Sequence, residues 1–141
     1  MASSDPKIQL LKALPLFARL KSRDLERVAQ LADEVDVPAG KVLMRQGDSG
    51  EEAFILVSGS LTVERDGRTI GIRGPGEPVG EMSLLTKGPR NATVTAAAPS
   101  RLLVLAHREF NSMLDGYPDV RIQLLEVLAE RVRSLDADQA H

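Results

Sequence analysis

Cysteine and tryptophan are absent from these 141 residues, and histidine occurs twice, at His107 and His141. Without cysteine there is no disulfide framework and no thiolate chemistry. Two histidines far apart in sequence exclude a histidine-rich metal centre, so no metal ligand is expected. Aromatics are scarce: Phe17, Phe54, Phe110 and Tyr117 are the full set, too few to build stacking platforms for single-stranded nucleic acid. Neither sign of charge dominates. Eighteen basic and 20 acidic residues leave a net charge of −2, which argues against bulk binding to nucleic acid or a membrane surface. No apolar run approaches a membrane span, and the N-terminus carries no signal-peptide pattern. The expectation is a cytoplasmic protein. Asn91-Ala92-Thr93 matches a glycosylation sequon, which has no meaning without secretion.

The length suits one domain with a real core, residues 1–141. Met1 to Asp5 is small, polar and expected to fray. Pro6 to Ala13 reads as a helix, followed by the apolar turn Leu14-Pro15-Leu16-Phe17. Ser22 is placed as the N-cap of a helix running to about Asp33, with Leu25, Val28, Ala29 and Ala32 as its buried stripe. The period then shortens to two. Short strands are expected around Val35–Val37, Val42–Met44, Ala53–Val57 and Leu61–Arg65. Asp66-Gly67 signals a two-residue hairpin returning through Ile70 and Ile72. A second hairpin is expected between Ala92–Ala97 and Leu102–Leu105, across Ala98-Pro99-Ser100. Two helices close the chain. The first runs from Arg108 to Leu114, with Gly116 as its stop. The second is opened by Pro118 and runs to about Leu135, with Val120, Leu124, Val127, Leu128, Val132 and Leu135 apolar. The fold class is therefore mainly β with flanking helices, a β-barrel or jelly roll: helical segment 6–33, β-roll 34–106, C-terminal helices 107–136.

Two familiar phosphate loops are missing. Gly74, Gly76 and Gly80 have G-x-G-x-x-x-G spacing with no long βαβ unit, so there is no dinucleotide fold. Gly40-Lys41 is followed by Val42, so there is no Walker loop. What the chain does have is the stretch Gly80 to Val94. A glycine allows close backbone approach, and the helical turn after it points N–H groups at an anion. Arg90 supplies a fixed, always-charged fork suited to phosphate. Glu81 has no use for phosphate but suits a neighbouring hydroxyl such as that of ribose.

This stretch resembles the phosphate-binding cassette of the cyclic nucleotide-binding domain family: Gly-Glu, two small or apolar residues, a Leu-Leu pair, a short loop, then Pro-Arg-x-Ala-Thr-Val. The Leu-Pro-Leu-Phe turn, the turns at Gly40, Gly47 and Gly59, and the two terminal helices follow the family's order, so the resemblance covers most of the chain. It implies an eight-stranded antiparallel β-roll with short N-terminal helices and two C-terminal helices. It implies that Arg90 pairs the equatorial exocyclic oxygen of a cyclic phosphate, that backbone N–H groups of Met82, Ser83 and Ala92 assist, and that Glu81 accepts from the ribose 2′-hydroxyl. Gly80 lets the sugar approach, and the base lies on aliphatic surface, with Val63 the candidate. The chain departs from the pattern twice. Val79 replaces an aromatic, and Asn91 stands where cGMP-preferring members carry Thr or Ser, which favours cAMP with cGMP as the alternative.

The resemblance also makes the last helix a lid that moves with ligand, with Arg131 either capping the base or simply solvated near a helix C-terminus. The implied activity is sensing without catalysis or cofactor, through an effector domain or protein partner. The alternatives are a β-roll interaction domain without ligand, and a cyclic nucleotide-processing or cupin-like enzyme. The absence of metal ligands and of a Ser/His/Asp constellation argues against the enzyme. Glu81 and Arg90 argue against the retired copy. With only Asp136 to His141 beyond the last helix, no DNA-reading domain is expected, and the chain is either free-standing or part of a longer protein.

Overall fold

The computed structural model describes residues 6–139, with the side chains of Met82, Ser83 and residues 135–139 outside the described set. The frayed end expected for Met1 to Asp5 and the Leu135 side chain therefore lie outside it. Two N-terminal helices, α1 (Pro6–Ala13) and α2 (Ser22–Leu31), flank a 3-10 turn at Pro15–Phe17. Eight strands follow: β1 (Asp33–Val37), β2 (Val42–Met44), β3 (Glu52–Ser58), β4 (Leu61–Arg65), β5 (Arg68–Arg73), β6 (Pro78–Val79), β7 (Thr93–Ala96) and β8 (Ser100–Ala106). A short helix α3 (Glu81–Thr86) lies between β6 and β7, and α4 (His107–Gly116) and α5 (Pro118–Gln139) end the fold.

The strands form two antiparallel sheets, β1-β8-β3-β6 and β2-β7-β4-β5. The continuous apolar runs of β3 and β8 are explained by where they sit. Ile55 pairs with Leu103 and Ala53 with Leu105, and all four join the cluster packed by the helices. Leu56 pairs with Leu102, and with Phe54 both face the second cluster, shared with Leu61, Val63 and Val94 of the other sheet. A strand covered on both faces has no polar side to alternate with. The β4–β5 hairpin forms as expected: Arg65 opposes Arg68, and Asp66 and Gly67 take φ of 54° and 78°, the double positive φ of a two-residue turn.

The second expected hairpin does not form. β7 pairs with β2 and β4, whereas β8 pairs with β1 and β3, so the chain crosses from one sheet to the other at residues 97–99. Burial decides this. β8 is apolar on both faces and must lie in the sheet that the helices cover, while Ala97 donates to the Ser60 carbonyl and Pro99 has no N–H to give a ladder.

The helix ends also shift. α2 starts with Ser22 inside it and the extended Lys21 as its uncapped N-cap, and it stops at Leu31 because Asp33 already pairs with Val104 in β1. Gly116 is the last residue of α4 rather than its stop. Tyr117 caps the helix, held out of helical conformation by the proline that follows. α5 continues to Gln139, and among its described side chains the buried face stops short of Val132. Val120 and Leu124 are buried, Leu128 is partly buried, and Val132 is 56% exposed.

Candidate functional site

Gly80 sits at the junction of β6 and α3 with φ 80° and ψ 2°, a left-handed conformation that side chains resist. A Cβ there would lie 2.7 Å from Arg90 Nη1 and 3.2 Å from the Glu52 carbonyl. The glycine is thus required twice, for the turn and for the arginine packed on it.

Arg90 is 6% exposed. Its Nη1 donates to the Gly80 carbonyl at 2.8 Å and its Nη2 to the Glu52 carbonyl at 2.7 Å, and its guanidinium carbon lies 6.0 Å from the Phe54 ring centre. Its backbone is pinned as well: Arg90 N–H donates to Asp48 O, and Gly47 N–H donates to Arg90 O. Burial pulls its pKa down, opposed by Glu52 and Glu81, though an arginine stays charged. A buried, oriented guanidinium at the mouth of a helical turn is suited to an oxyanion.

Glu81 opens α3 and is 2% exposed. Its Oε1 accepts from Arg131 Nη1 of α5 at 2.8 Å, and Arg131 Nη2 donates to the Pro78 carbonyl at 2.6 Å. The structure thus places Arg131 on the carboxylate and not in solvent. Arg73, which sequence reasoning missed, also feels this carboxylate. It opposes Leu61 in the β4–β5 ladder, as Gly71 opposes Val63. Both partners belong to the inter-sheet cluster, so Arg73 and Gly71 lie on the inner face of the roll. Gly71 leaves room for the Arg73 guanidinium, whose Nη1 lies 2.8 Å from where a Cβ would stand. No sequence signal marked it: counting from Asp66-Gly67 without a bulge sets Ile70 opposite Val63 and Ile72 opposite Leu61, and the register shift between Val63 and Glu64 is what turns Gly71 and Arg73 inward.

Burial pushes the Glu81 carboxyl above its ordinary 4.5, with Arg131, a backbone hydrogen bond and Arg73 pulling the other way. The folded chain then keeps this proton at a pH where the unfolded chain has lost it. The contribution is complete below about 4.5 and is lost as pH rises through the folded value. Urea unfolding should show the parent losing stability relative to Glu81→Gln as pH rises from 4.5 towards neutrality. A parent whose stability relative to that variant stays flat or rises over this range contradicts this.

The remaining predicted residues divide. Val63 and Ala92 are buried together in the inter-sheet cluster. Met82 and Ser83 are helical within the first turn of α3, so their N–H groups precede the first intrahelical bond. Asn91 is exposed, and its carbonyl accepts from Arg65 Nε at 2.9 Å. A separate cleft of about 370 Å³ borders the cassette loop at Lys87, Gly88 and Pro89 with Glu51 and His107, and none of the nine predicted residues lines it. Among the described residues no group of three His, Cys, Asp or Glu side chains could hold a metal, and no helix is long and apolar enough to cross a membrane.

Residues 34–117 match the cyclic nucleotide-binding domain. The cyclic AMP receptor protein of Thermus thermophilus is 32% identical over 133 residues, 91% of this chain and 62% of that protein. A cyclic nucleotide-gated potassium channel of Rhizobium etli is 34% identical over 123 residues, 87% of this chain and 34% of the channel. The chain therefore spans less than two thirds of either relative. The regulatory domain of Toxoplasma gondii PKA, crystallised with cAMP, superposes with a TM-score of 0.67 at 33% identity, covering 80% of this chain and 47% of that one.

Proposed function

The chain belongs to the cyclic nucleotide-binding domain family, and on that premise we propose that it is a non-catalytic sensor module that binds a cyclic nucleotide, cAMP in preference to cGMP. The observation that carries this reading is the convergence on Gly80 of a buried arginine and a buried glutamate at the start of one short helix. The two side chains are chemically distinct. Arg90 takes the phosphate, with the first N–H groups of α3 and that of Ala92 assisting. Glu81 takes the ribose hydroxyl, and an unpaired buried carboxylate would reject a deoxyribose. The inner face of β4, with Val63, takes the base. Asn91, in place of a hydroxyl-bearing residue, favours adenine.

Ligand repositions α5, and to do so it must bind one placement of that helix better than another. The output passes to an effector domain or partner protein in the cytoplasm, where such nucleotides act. Calorimetric titration of the chain with cAMP, cGMP and 5′-AMP tests the reading. It predicts saturable binding of the cyclic nucleotides, none of 5′-AMP, and no release of 5′-AMP on incubation with or without divalent metal. Absence of binding by both cyclic nucleotides refutes it.

A further inference from the structure

The inner face of β5 carries a residue that the packing of the roll does not ask for. Without the register shift between Val63 and Glu64, Ile70 and Ile72 would oppose Val63 and Leu61 and complete an apolar wall. The shift instead turns Gly71 and Arg73 inward and leaves Ile72 67% exposed. Apolar burial is lost and a guanidinium is half-buried in its place, and both changes are unfavourable. Gly71 weakens the strand further, but it opens the space that Arg73 fills. Nη1, the guanidinium carbon and Nη2 of Arg73 lie 2.8, 3.6 and 3.8 Å from where a Gly71 Cβ would stand.

That guanidinium is also unused. Arg90, Arg131 and Arg73 all feel the charge of Glu81. Both Nη groups of Arg90 donate to carbonyls, and those of Arg131 donate to Glu81 and to the Pro78 carbonyl. Arg73 makes no hydrogen bond among the described residues, and its Nε is buried without an acceptor. Burial lowers its pKa, helped by Arg131 and opposed by Glu77 and Glu81, yet an arginine keeps its charge. A planar fork of donors, held over a glycine that opposes Val63, calls for an acceptor from outside the chain. In the cyclic-nucleotide reading the phosphate has Arg90, the 2′-hydroxyl has Glu81, and the base lies against Val63. The acceptors left over on this face are those of the base.

We propose that Arg73 is a specificity-determining residue of the ligand site: its two Nη groups donate to the acceptor edge of the base, which guanine fills with O6 and N7. A guanidinium fork matches that pair bidentately. Adenine offers N7 alone and sets its amino group, a donor, against the other arm. Arg73 thus works against Asn91 and holds the preference for cAMP to a small margin. The inference rests on the cyclic-nucleotide reading above and names the feature of the base that the roll detects, a pair of acceptors.

The test is a cycle between the arginine and single acceptors of the base. Affinities for cAMP, cGMP and 7-deaza-cGMP, which lacks the N7 acceptor, are measured on the parent, Arg73→Met and Arg73→Lys. The parent should bind 7-deaza-cGMP about 10-fold more weakly than cGMP, as for a lost hydrogen bond to a charged group. Arg73→Met should weaken cGMP by roughly 10–100-fold and cAMP by about threefold or less. It should also bind cGMP and 7-deaza-cGMP alike, which isolates the pairwise effect. Arg73→Lys keeps the charge without the fork and should recover only a small part of the loss. Because the buried Nε has no acceptor, unliganded Arg73→Met should melt no lower than the parent. A fall of several degrees would make Arg73 a structural residue. Equal weakening of cAMP and cGMP would assign it to the phosphate or sugar, and unchanged affinity for cGMP would remove it from the site. Each of these results overturns the proposal and leaves the sensor reading standing, whereas a parent that binds no cyclic nucleotide overturns both.

Discussion

Arg90→Ala should lower affinity for cAMP by on the order of 10²–10³-fold, a loss of roughly 3–5 kcal/mol. The size follows from burial. At 6% exposure the guanidinium meets its anion away from water, and deleting it leaves that charge desolvated and unpaired. The same deletion removes the donors on the Gly80 and Glu52 carbonyls, so a stability loss of about 1–3 kcal/mol should accompany it. Titration must therefore be run where circular dichroism shows the variant folded. Arg90→Lys separates the two effects, since a lysine keeps the charge but not the planar fork. Parent-like binding by folded Arg90→Ala would refute the site.

Leu103→Ala should destabilise the fold by about 2–5 kcal/mol, the range for a large-to-small change in a close-packed core. Leu103 is fully buried at the centre of β8, between Glu34 of β1 and Ile55 of β3, facing the helices. It belongs to the cluster that joins α1, α2, α4 and the first turns of α5 to the roll, so the cavity would open within the core that the helices share. For a chain this size the melting temperature should fall by roughly 10 °C. Ile72→Ala, at a residue 67% exposed on the edge strand β5, should change stability by no more than about 0.5 kcal/mol. Melting curves on the two variants check the contrast. Similar shifts for both would contradict the two-cluster description of the core.

Much of this was legible in the sequence, for definite reasons. The Asp66-Gly67 hairpin and seven of the eight strands announce themselves through local chemistry, a turn that demands positive φ and short alternating or continuously apolar runs, whereas the two-residue β6 does not, and the count of eight came from the resemblance. The cassette is legible because its residues differ in kind and stand close together in the chain. The failures are non-local. Ala92–Ala97 and Leu102–Leu105 look like a hairpin because they are adjacent and both apolar. Only the need to cover both faces of Leu102–Leu105 sends them to different sheets. Val132 fits the apolar period of α5, yet among the described side chains the core ends at Leu128. Arg131 and Arg73 lie 50 and 8 residues from Glu81, and neither carries a motif. Their approach to that carboxylate comes from the fold and from the register of β5.

The central claim is that Glu81 and Arg90 form a cyclic-nucleotide site, and a thermal-shift titration of the intact chain tests it most directly. A ligand at about 100 times its Kd adds roughly 2.7 kcal/mol to the folded state, which for this chain length is several degrees. The account predicts that rise with cAMP, a smaller one with cGMP at equal concentration, and none with 5′-AMP. An unchanged melting temperature with both cyclic nucleotides at millimolar concentration would contradict it.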